Sequence, residues 1–257
     1  MHRQIRCASA GGHVTAAAQI DPEQASEVGG RTLEVFSSTP RLNDWLYAKL
    51  ARHVRGDVLE IGSGIGNLSR LIIQNASSVV LSDMEPHYLD ALGRTFGGDE
   101  RVTVAPFDLD AEPGPGIADR RFDAIVAVNV IEHIRDDQAL VGRLAGLLKP
   151  GGKLAVYVPA CPSAYGSLDV ALGHHRRYTA QTLSALLSGA GLLVEPPQYM
   201  NLFGLIGWTI NGRLLRRQTL SSRQIAIFER FMPLLTLEDR IRLPIGLGVY
   251  TAAQRPG

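Results

Sequence analysis

The chain has 257 residues, 45% of them hydrophobic, and a formal net charge of +1. This length suits one α/β domain with additions, and the near-neutral charge gives no reason to expect a nucleic-acid partner. The two cysteines, Cys7 and Cys161, have neither a disulfide framework nor metal-ligand spacing, which favours a cytoplasmic location. We expect no signal peptide, because the stretch after Arg3 and Arg6 is rich in Ala, Gly and Ser rather than continuously apolar. We expect no membrane span, because the longest apolar run (202–210) is far shorter than the roughly 20 residues required.

Strand-like and helical patterns alternate along the chain after an amphipathic helix predicted at 43–54. Strands are expected at 57–61, 78–82, 102–106, 123–128, 153–158, 192–194 and 246–252. Helices are expected at 67–74, from Pro86, at 136–148 and at 180–190, and a helical insert at about 201–243. This order predicts an α/β fold with a seven-stranded, mostly parallel sheet and helices on both faces. Residues 1–40 are expected to be a tail and cover segment, and residues 41–257 one domain.

The most informative stretch is the glycine-rich turn that follows the first predicted strand. Gly62, Gly64 and Gly66 come directly after an apolar run that ends in Glu60 and Ile61. A strand that stops at such a turn and continues into a helix is the nucleotide-binding device of open α/β sheets. The spacing is GxGxG rather than the GxGxxG of dinucleotide folds. A carboxylate at position 60 would repel a pyrophosphate, but it suits a ligand with a cationic amino group, such as S-adenosylmethionine (SAM).

At this point the chain resembles the class I SAM-dependent methyltransferases. The resemblance covers roughly residues 41–254 and includes the later segments 122–123, 130–134 and 148–152. Residues 173–179, GHHRRYT, are similar to one bacterial subgroup of small-molecule methyltransferases, in which an aromatic residue usually stands at the position of His175. The resemblance implies a Rossmann-like class I methyltransferase fold, SAM as cofactor and S-adenosylhomocysteine as product. It leaves the acceptor open, since subgroup members resemble enzymes of secondary metabolism and of surface-polymer synthesis.

Polar residues follow several predicted strands, at the edge where parallel sheets bind their ligands. Asp83 follows the second strand and could accept from both ribose hydroxyls, with a helix N-cap as the alternative. Asp108 and Leu109 follow the third and could hold the adenine, although a solvated loop acid is the alternative reading. The residues expected to bind SAM are Glu60, Gly62, Ser63, Gly64, Gly66, Asn67, Asp83, Met84, Asp108, Leu109, Asn129, Val130 and His133.

Two segments that a minimal fold lacks could enclose the acceptor, namely the loop 159–179 and the insert 201–243. Residues 35–45 are a further candidate cover. We expect the acceptor to contact Tyr165, His175, Tyr178, Phe203 and Trp208. Two alternatives for the insert stay open: helices that pack on the sheet with their arginines in water, or a basic amphipathic surface for a membrane or lipid-linked substrate.

Three histidines, His175, His133 and His174, are the candidate catalytic bases. His175 is the one that departs from its subgroup. His133 has an alternative role in orienting SAM, and His174 in tying the loop. A metal site of His174, His175 and Glu132 is disfavoured because adjacent histidines point in different directions, so no metal is predicted.

The sequence predicts a SAM-dependent methyltransferase that acts on N, O or an electron-rich ring carbon, such as that of an indole, in a small molecule of bacterial secondary metabolism. A lipid-linked or surface-polymer sugar is the alternative acceptor. Two alternatives belong to other classes: a nicotinamide-dependent oxidoreductase and a non-catalytic SAM-binding protein. A nucleic-acid acceptor is disfavoured because residues 129–132, NVIE, lack the Pro-Pro-aromatic run that clamps a flipped base. Membrane association is not favoured, and no oligomeric state is predicted.

Overall fold

A computed structural model describes residues 39–219 and 221–257. Most of the predicted tail and cover segment, residues 1–38, lies outside the described residues. Within the described ranges the strands are β1 (Gly56–Ile61), β2 (Ala76–Asp83), β3 (Val102–Pro106), β4 (Phe122–Val128), β5 (Leu148–Pro159), β6 (Leu193–Val194), β7 (Gln198–Met200) and β8 (Gly248–Gln254).

The strands form one sheet in the order β3-β2-β1-β4-β5-β8-β6, and β7 also pairs with β8. The first five strands in this order are parallel, and β8 runs antiparallel to β5. The predicted Rossmann-like arrangement is therefore confirmed, with one difference. The sixth predicted strand, 192–194, is β6, and a further short strand that was not predicted, β7, follows it; both pair with β8. Pro196 and Pro197 separate the two strands, and prolines cannot donate to a strand ladder.

The described helices are α1 (Pro40–Leu50), α2 (Ser69–Asn75), α3 (Pro86–Phe96), α4 (Asp137–Leu147), α5 (Ser167–Ala171), α6 (Ala180–Gly189), α7 (Leu202–Thr209) and α8 (Ser222–Leu235). Two starts follow from capping side chains. Oδ1 of Asp136 accepts from the backbone N–H of Ala139 at 2.9 Å, and Oγ1 of Thr179 accepts from that of Thr182 at 3.1 Å. No helix in these ranges has both the length and the apolar character needed to cross a membrane.

The hydrophobic core lies on both faces of the sheet, because successive strand residues point to opposite sides. Leu59 and Ile61 of β1 belong to the cluster covered by α4 and α6. Val58 belongs to the opposite cluster, which includes residues of α1, α2, α3 and α8. Glu60 shares the strand face of Val58, so an acidic side chain is enclosed against an apolar layer.

The helical insert between β7 and β8 is docked on α1. Glu229 of α8 accepts hydrogen bonds from the backbone N–H groups of Arg41 at 2.7 Å and Leu42 at 3.3 Å. These amides are among the unpaired donors at the start of α1, so the carboxylate caps that helix. Nε1 of Trp45 donates to Oδ2 of Asp239 at 2.9 Å, a second tie between α1 and the insert.

Candidate functional site

The glycine loop after β1 adopts a backbone conformation that residues with a side chain could not adopt without strain. Gly62, Gly64 and Gly66 have φ angles of +63°, +54° and +88°, a region that glycine enters without steric cost. A Cβ on Gly62 would lie 2.6 Å from Cγ2 of Val130, and one on Gly66 would lie 2.4 Å from Cε2 of Phe96. The first glycine therefore brings the end of β1 against the segment after β4, and the third lets α3 pack closely.

Asp83 at the end of β2 faces this loop. Its Oδ2 accepts from the backbone N–H of Gly64 at 2.9 Å, and its Oδ1 accepts from that of Glu85 at 3.1 Å. A carboxylate has about four lone-pair sites, so both oxygens can still accept from ribose hydroxyls. The adjacent Met84 is 60% exposed and offers apolar surface at the same edge. This geometry fits the ribose and adenine parts of SAM.

The other residues predicted to bind SAM differ in their burial and in their hydrogen bonds. Asp108 is exposed and its Oδ1 accepts from the backbone N–H of Asp110, whereas Leu109 is buried in the core. Asn129 has a φ of +52° and an exposed side chain at the end of β4. Ser63 is buried, and its Oγ accepts from the backbone N–H of Ser82, which ties the loop to β2. Asn67 is half-buried at the loop's end.

The sequence analysis expected the carboxylate of Glu60 to face a cationic ligand, but in the structure this side chain is buried. Its side chain is 4% exposed, and Oε2 accepts from Oγ of Ser69 at 2.5 Å. Burial raises the pKa of Glu60 to about 7, against the lowering effect of hydrogen bonds from Ser69 and Ser63. The carboxylate lies beneath the glycine loop, where it holds the first turn of α2, and its contact with SAM stays a prediction.

A cluster of Glu132, His133 and His174 lies beyond β4. One ligand-capable atom from each lies within 4.8 Å of the others, and the two imidazole rings stand edge to face at 4.8 Å. Glu132 is fully buried, and burial raises its pKa to about 8. The ring of His133 is open to solvent but has protein around it, and the resulting desolvation lowers its pKa. The disfavoured metal set of the sequence analysis thus contained the wrong histidine: the structure groups His133, not His175, with the other two residues.

Asp169 joins this cluster to the insert, a role the sequence analysis missed. Its Oδ1 pairs with Nδ1 of His174 at 3.0 Å and Nε of Arg177 at 2.7 Å. Its Oδ2 accepts from the backbone N–H of Gly166 at 3.0 Å and Nε1 of Trp208 at 3.1 Å. Burial alone would raise the pKa of Asp169, but the hydrogen bond from His174 and the charge of Arg177 outweigh it and the pKa is lowered. The carboxylate is therefore charged, and its hydrogen bonds hold the loop and the insert together.

The residues predicted to contact the acceptor differ in how far they are exposed. His175 is exposed, and its backbone N–H donates to the carbonyl of Glu132 at 2.8 Å. Tyr165 is half-buried and donates its hydroxyl to the carbonyl of His174. Phe203 is 59% exposed. Tyr178 is 3% exposed and its hydroxyl donates to Asp137, which gives it a structural role, and its contact with the acceptor stays a prediction.

Comparison with known proteins agrees with this geometry. Residues 35–196 match the model of a family described as "Methyltransferase domain". A ubiquinone biosynthesis O-methyltransferase of Xylella fastidiosa (strain 9a5c) is 36% identical over 105 residues, which are 38% of this chain and 40% of that relative. A protein of Mycolicibacterium smegmatis, described as a probable SAM-dependent methyltransferase, is 31% identical over 158 residues, covering 60% of this chain and 59% of the relative. A solved SAM-dependent methyltransferase of Mesorhizobium loti superposes with a TM-score of 0.58 at 18% identity, over 82% of this chain and 98% of that one.

The sheet order, the glycine loop and the acid after β2 define a class I methyltransferase. The chain belongs to the methyltransferase-domain family, whose model covers more than half of its length. Its methyltransferase domain uses SAM, so the nicotinamide-dependent alternative is set aside.

Proposed function

We propose that the enzyme methylates a hydroxyl oxygen of a small molecule bound beside the carboxyl ends of β4 and β5. The single observation that carries the proposal is that the loop 159–179 and the insert are joined into one wall next to the residues that follow β4. An oxygen acceptor is supported by the 36% identity to an O-methyltransferase over 105 residues.

The wall consists of direct contacts between residues far apart in sequence. Oγ of Ser167 donates to the carbonyl of Gly212 at 2.9 Å, and the guanidinium of Arg177 lies 4.9 Å from the ring centre of Trp208. Trp208 also donates to Asp169 on the same loop. A wall of this kind restricts the space above the strand ends, which favours a small acceptor over a folded protein or a nucleic acid.

The chain's own residues supply alignment and a base. Bound SAM provides a methyl group on a sulfonium, which is already a good leaving group. The glycine loop and Asp83 fix the cofactor, and the wall fixes the acceptor. Holding two reactants in line contributes roughly 7–11 kcal/mol to a reaction of this type. His175 is exposed next to Glu132, and we assign to it the removal of the acceptor's proton. The setting proposed for the reaction is bacterial secondary metabolism in the cytoplasm.

A second acceptor class is favoured by the surface of the insert. Four apolar side chains at helical spacing are exposed along α7 and the turn that continues it, namely Phe203, Ile206, Ile210 and Leu214. Arg213, Arg216 and Arg217 are exposed in the same stretch. An apolar stripe next to basic residues suits the surface of an anionic membrane. The second candidate is therefore a hydroxyl on a lipid-linked sugar.

The test uses SAM with an isotope-labelled methyl group and a panel of phenols, catechols, sugars, amines, indoles, transfer RNA and a protein mixture. We expect label in a phenol, catechol or sugar hydroxyl, located by mass spectrometry. Label only in amines or ring carbons contradicts the oxygen acceptor, and label only in RNA or protein contradicts the small molecule. Flotation with anionic vesicles separates the two hydroxyl classes, because only the lipid-linked candidate requires binding that is lost in Phe203→Ser and Leu214→Ser variants.

A further inference from the structure

The cluster beyond β4 contains a buried carboxylate that the fold itself leaves unsatisfied. Neither Oε1 nor Oε2 of Glu132 has a hydrogen-bond partner in the described part of the chain, although the side chain is 0% exposed. Native structures leave few buried polar atoms unpaired, and an unpaired carboxylate is among the most costly. Nε2 of His174 lies 3.9 Å from Oε1, which is too far for a hydrogen bond, and burial lowers the pKa of this histidine and so disfavours its charged form.

His174 is oriented as a metal-ligating histidine is. Nδ1 of His174 is engaged by Asp169 at 3.0 Å, which leaves Nε2 as the nitrogen directed at Glu132. The ring of His133 stands edge to face with that of His174, with the ring centroids 4.8 Å apart. Ligating histidines usually give their second ring nitrogen to a carboxylate or a backbone carbonyl, which fixes the tautomer and the ring plane. His174 has such a carboxylate partner in Asp169.

The separations are close to those of a coordination sphere. The three ligand atoms lie within 4.8 Å of one another. Two ligands at 2.0–2.1 Å from a tetrahedral Zn²⁺ would be ~3.3 Å apart, so a modest inward rotation of the side chains suffices. Two imidazoles and one carboxylate form the ligand set of catalytic zinc sites and of related first-row metals, which keep at least one position for water or substrate.

We propose that Glu132, His133 and His174 bind a divalent first-row transition ion, with Zn²⁺ as the representative, and that its open position takes the acceptor's hydroxyl. The role, though not the ion binding itself, rests on the proposed function. A bound cation would satisfy the carboxylate and acidify the hydroxyl. The hydroxyl proton leaves to the base or to water, an oxygen lone pair forms the O–CH₃ bond, and the S–CH₃ electron pair stays on sulfur as a thioether. No oxidant or reductant is required.

The experiment measures metal binding without SAM or acceptor. Full-length protein is stripped with a chelator, dialysed, and titrated with Zn²⁺ by calorimetry and with Co²⁺ by visible absorption. We expect one ion per chain, and visible bands typical of nitrogen and oxygen ligation. Glu132→Gln, His174→Ala and His133→Ala should each weaken binding at least 100-fold, and Asp169→Asn about 10- to 100-fold. His175→Ala is the matched control and should keep full affinity.

The His133→Ala variant shows whether a loss of metal binding comes from misfolding. Its side chain is solvent-exposed, so this variant should melt like the wild type. No binding to the wild type, or an equal loss in His175→Ala, overturns the site. If metal binds but no hydroxyl is methylated, the site stands and the proposed function fails. If hydroxyl methylation proceeds unchanged in chelator and no metal binds, the function stands and this inference fails.

Discussion

Trp208 of the insert donates its indole N–H to Oδ2 of Asp169, 39 residues earlier in the chain, at 3.1 Å. The same tryptophan ring lies under the guanidinium of Arg177, which itself donates to Oδ1 of Asp169. Asp169 also holds His174. The insert and the histidine cluster are therefore coupled through one buried carboxylate, and this coupling leads to the first prediction.

Trp208→Phe keeps an aromatic face for Arg177 but removes the hydrogen bond to Asp169. We expect stability to fall by about 1–3 kcal/mol, because a buried charged acceptor loses a donor. The acceptor KM should rise several-fold while SAM affinity stays within twofold. Chemical denaturation, kinetics and SAM calorimetry measure these effects. Ile227→Val, at an exposed position of the same insert, is the control and should behave like the wild type in all three measurements. An equal loss of SAM and acceptor affinity would show that Trp208 supports the whole fold rather than the wall.

Asp83→Ala should weaken SAM binding by roughly 10- to 100-fold, since hydrogen bonds to a charged group contribute about 1.5–3 kcal/mol each. The variant loses the acceptor for the backbone N–H of Gly64 as well as the proposed ribose contact. Titration calorimetry with SAM and with S-adenosylhomocysteine measures the change. Asp90→Ala, at an exposed position on the following helix, should bind both ligands like the wild type. Unchanged affinity in Asp83→Ala would remove the ribose assignment.

The buried Glu60 makes stability depend on pH in a specific window. Its pKa is raised by burial from 4.5 to about 7, so between these values the folded state binds more protons than the unfolded state. Stability should therefore fall as the pH rises from about 4.5 to about 7, by up to roughly 3 kcal/mol from this group. Glu60→Gln should lack this part of the slope in urea unfolding, whereas Glu100→Gln at an exposed site should retain it. Glu132 also has a raised pKa and contributes to the slope of every variant, so the test compares each variant with the wild type. Parallel curves for Glu60→Gln and wild type would contradict the prediction.

His175→Phe should lower kcat by ~10²–10⁴ if this imidazole removes the acceptor's proton. Its exposed ring makes little packing contribution, so the melting temperature should change little. His87 is another exposed histidine and lies on α3, away from the loop that contains His175. The His87→Phe variant is the control and should keep the wild-type kcat. Turnover of His175→Phe within a few-fold of the wild type would exclude the role, and a proton-accepting group elsewhere or an acceptor that needs no base would then replace it.

Local patterns in the sequence were sufficient for most strands and for several helix starts, although they missed β7 and placed the start of α1 three residues late. The strand expected at 102–106 has the same bounds in the structure, and Asp136 and Thr179 cap their helices as short polar residues do. Pairings across the fold could not be inferred in this way. Nothing in the residues around Asp169 indicates that Trp208 reaches it, and the adjacency of His174 and His175 does not show which ring turns inward. The burial of Glu60 could not be inferred from the sequence either, because it depends on how α2 packs above the strand end.

The capping of α1 by Glu229 restricts how this enzyme can be re-engineered. Replacing the insert by that of another family member is an obvious way to change the acceptor, because the loops that we predict to bind SAM lie elsewhere. Such a graft would remove the carboxylate that satisfies the amides of Arg41 and Leu42, and also the partner of Trp45. A chimera should therefore transfer residues 40–50 together with the new insert, or keep an acidic side chain at position 229.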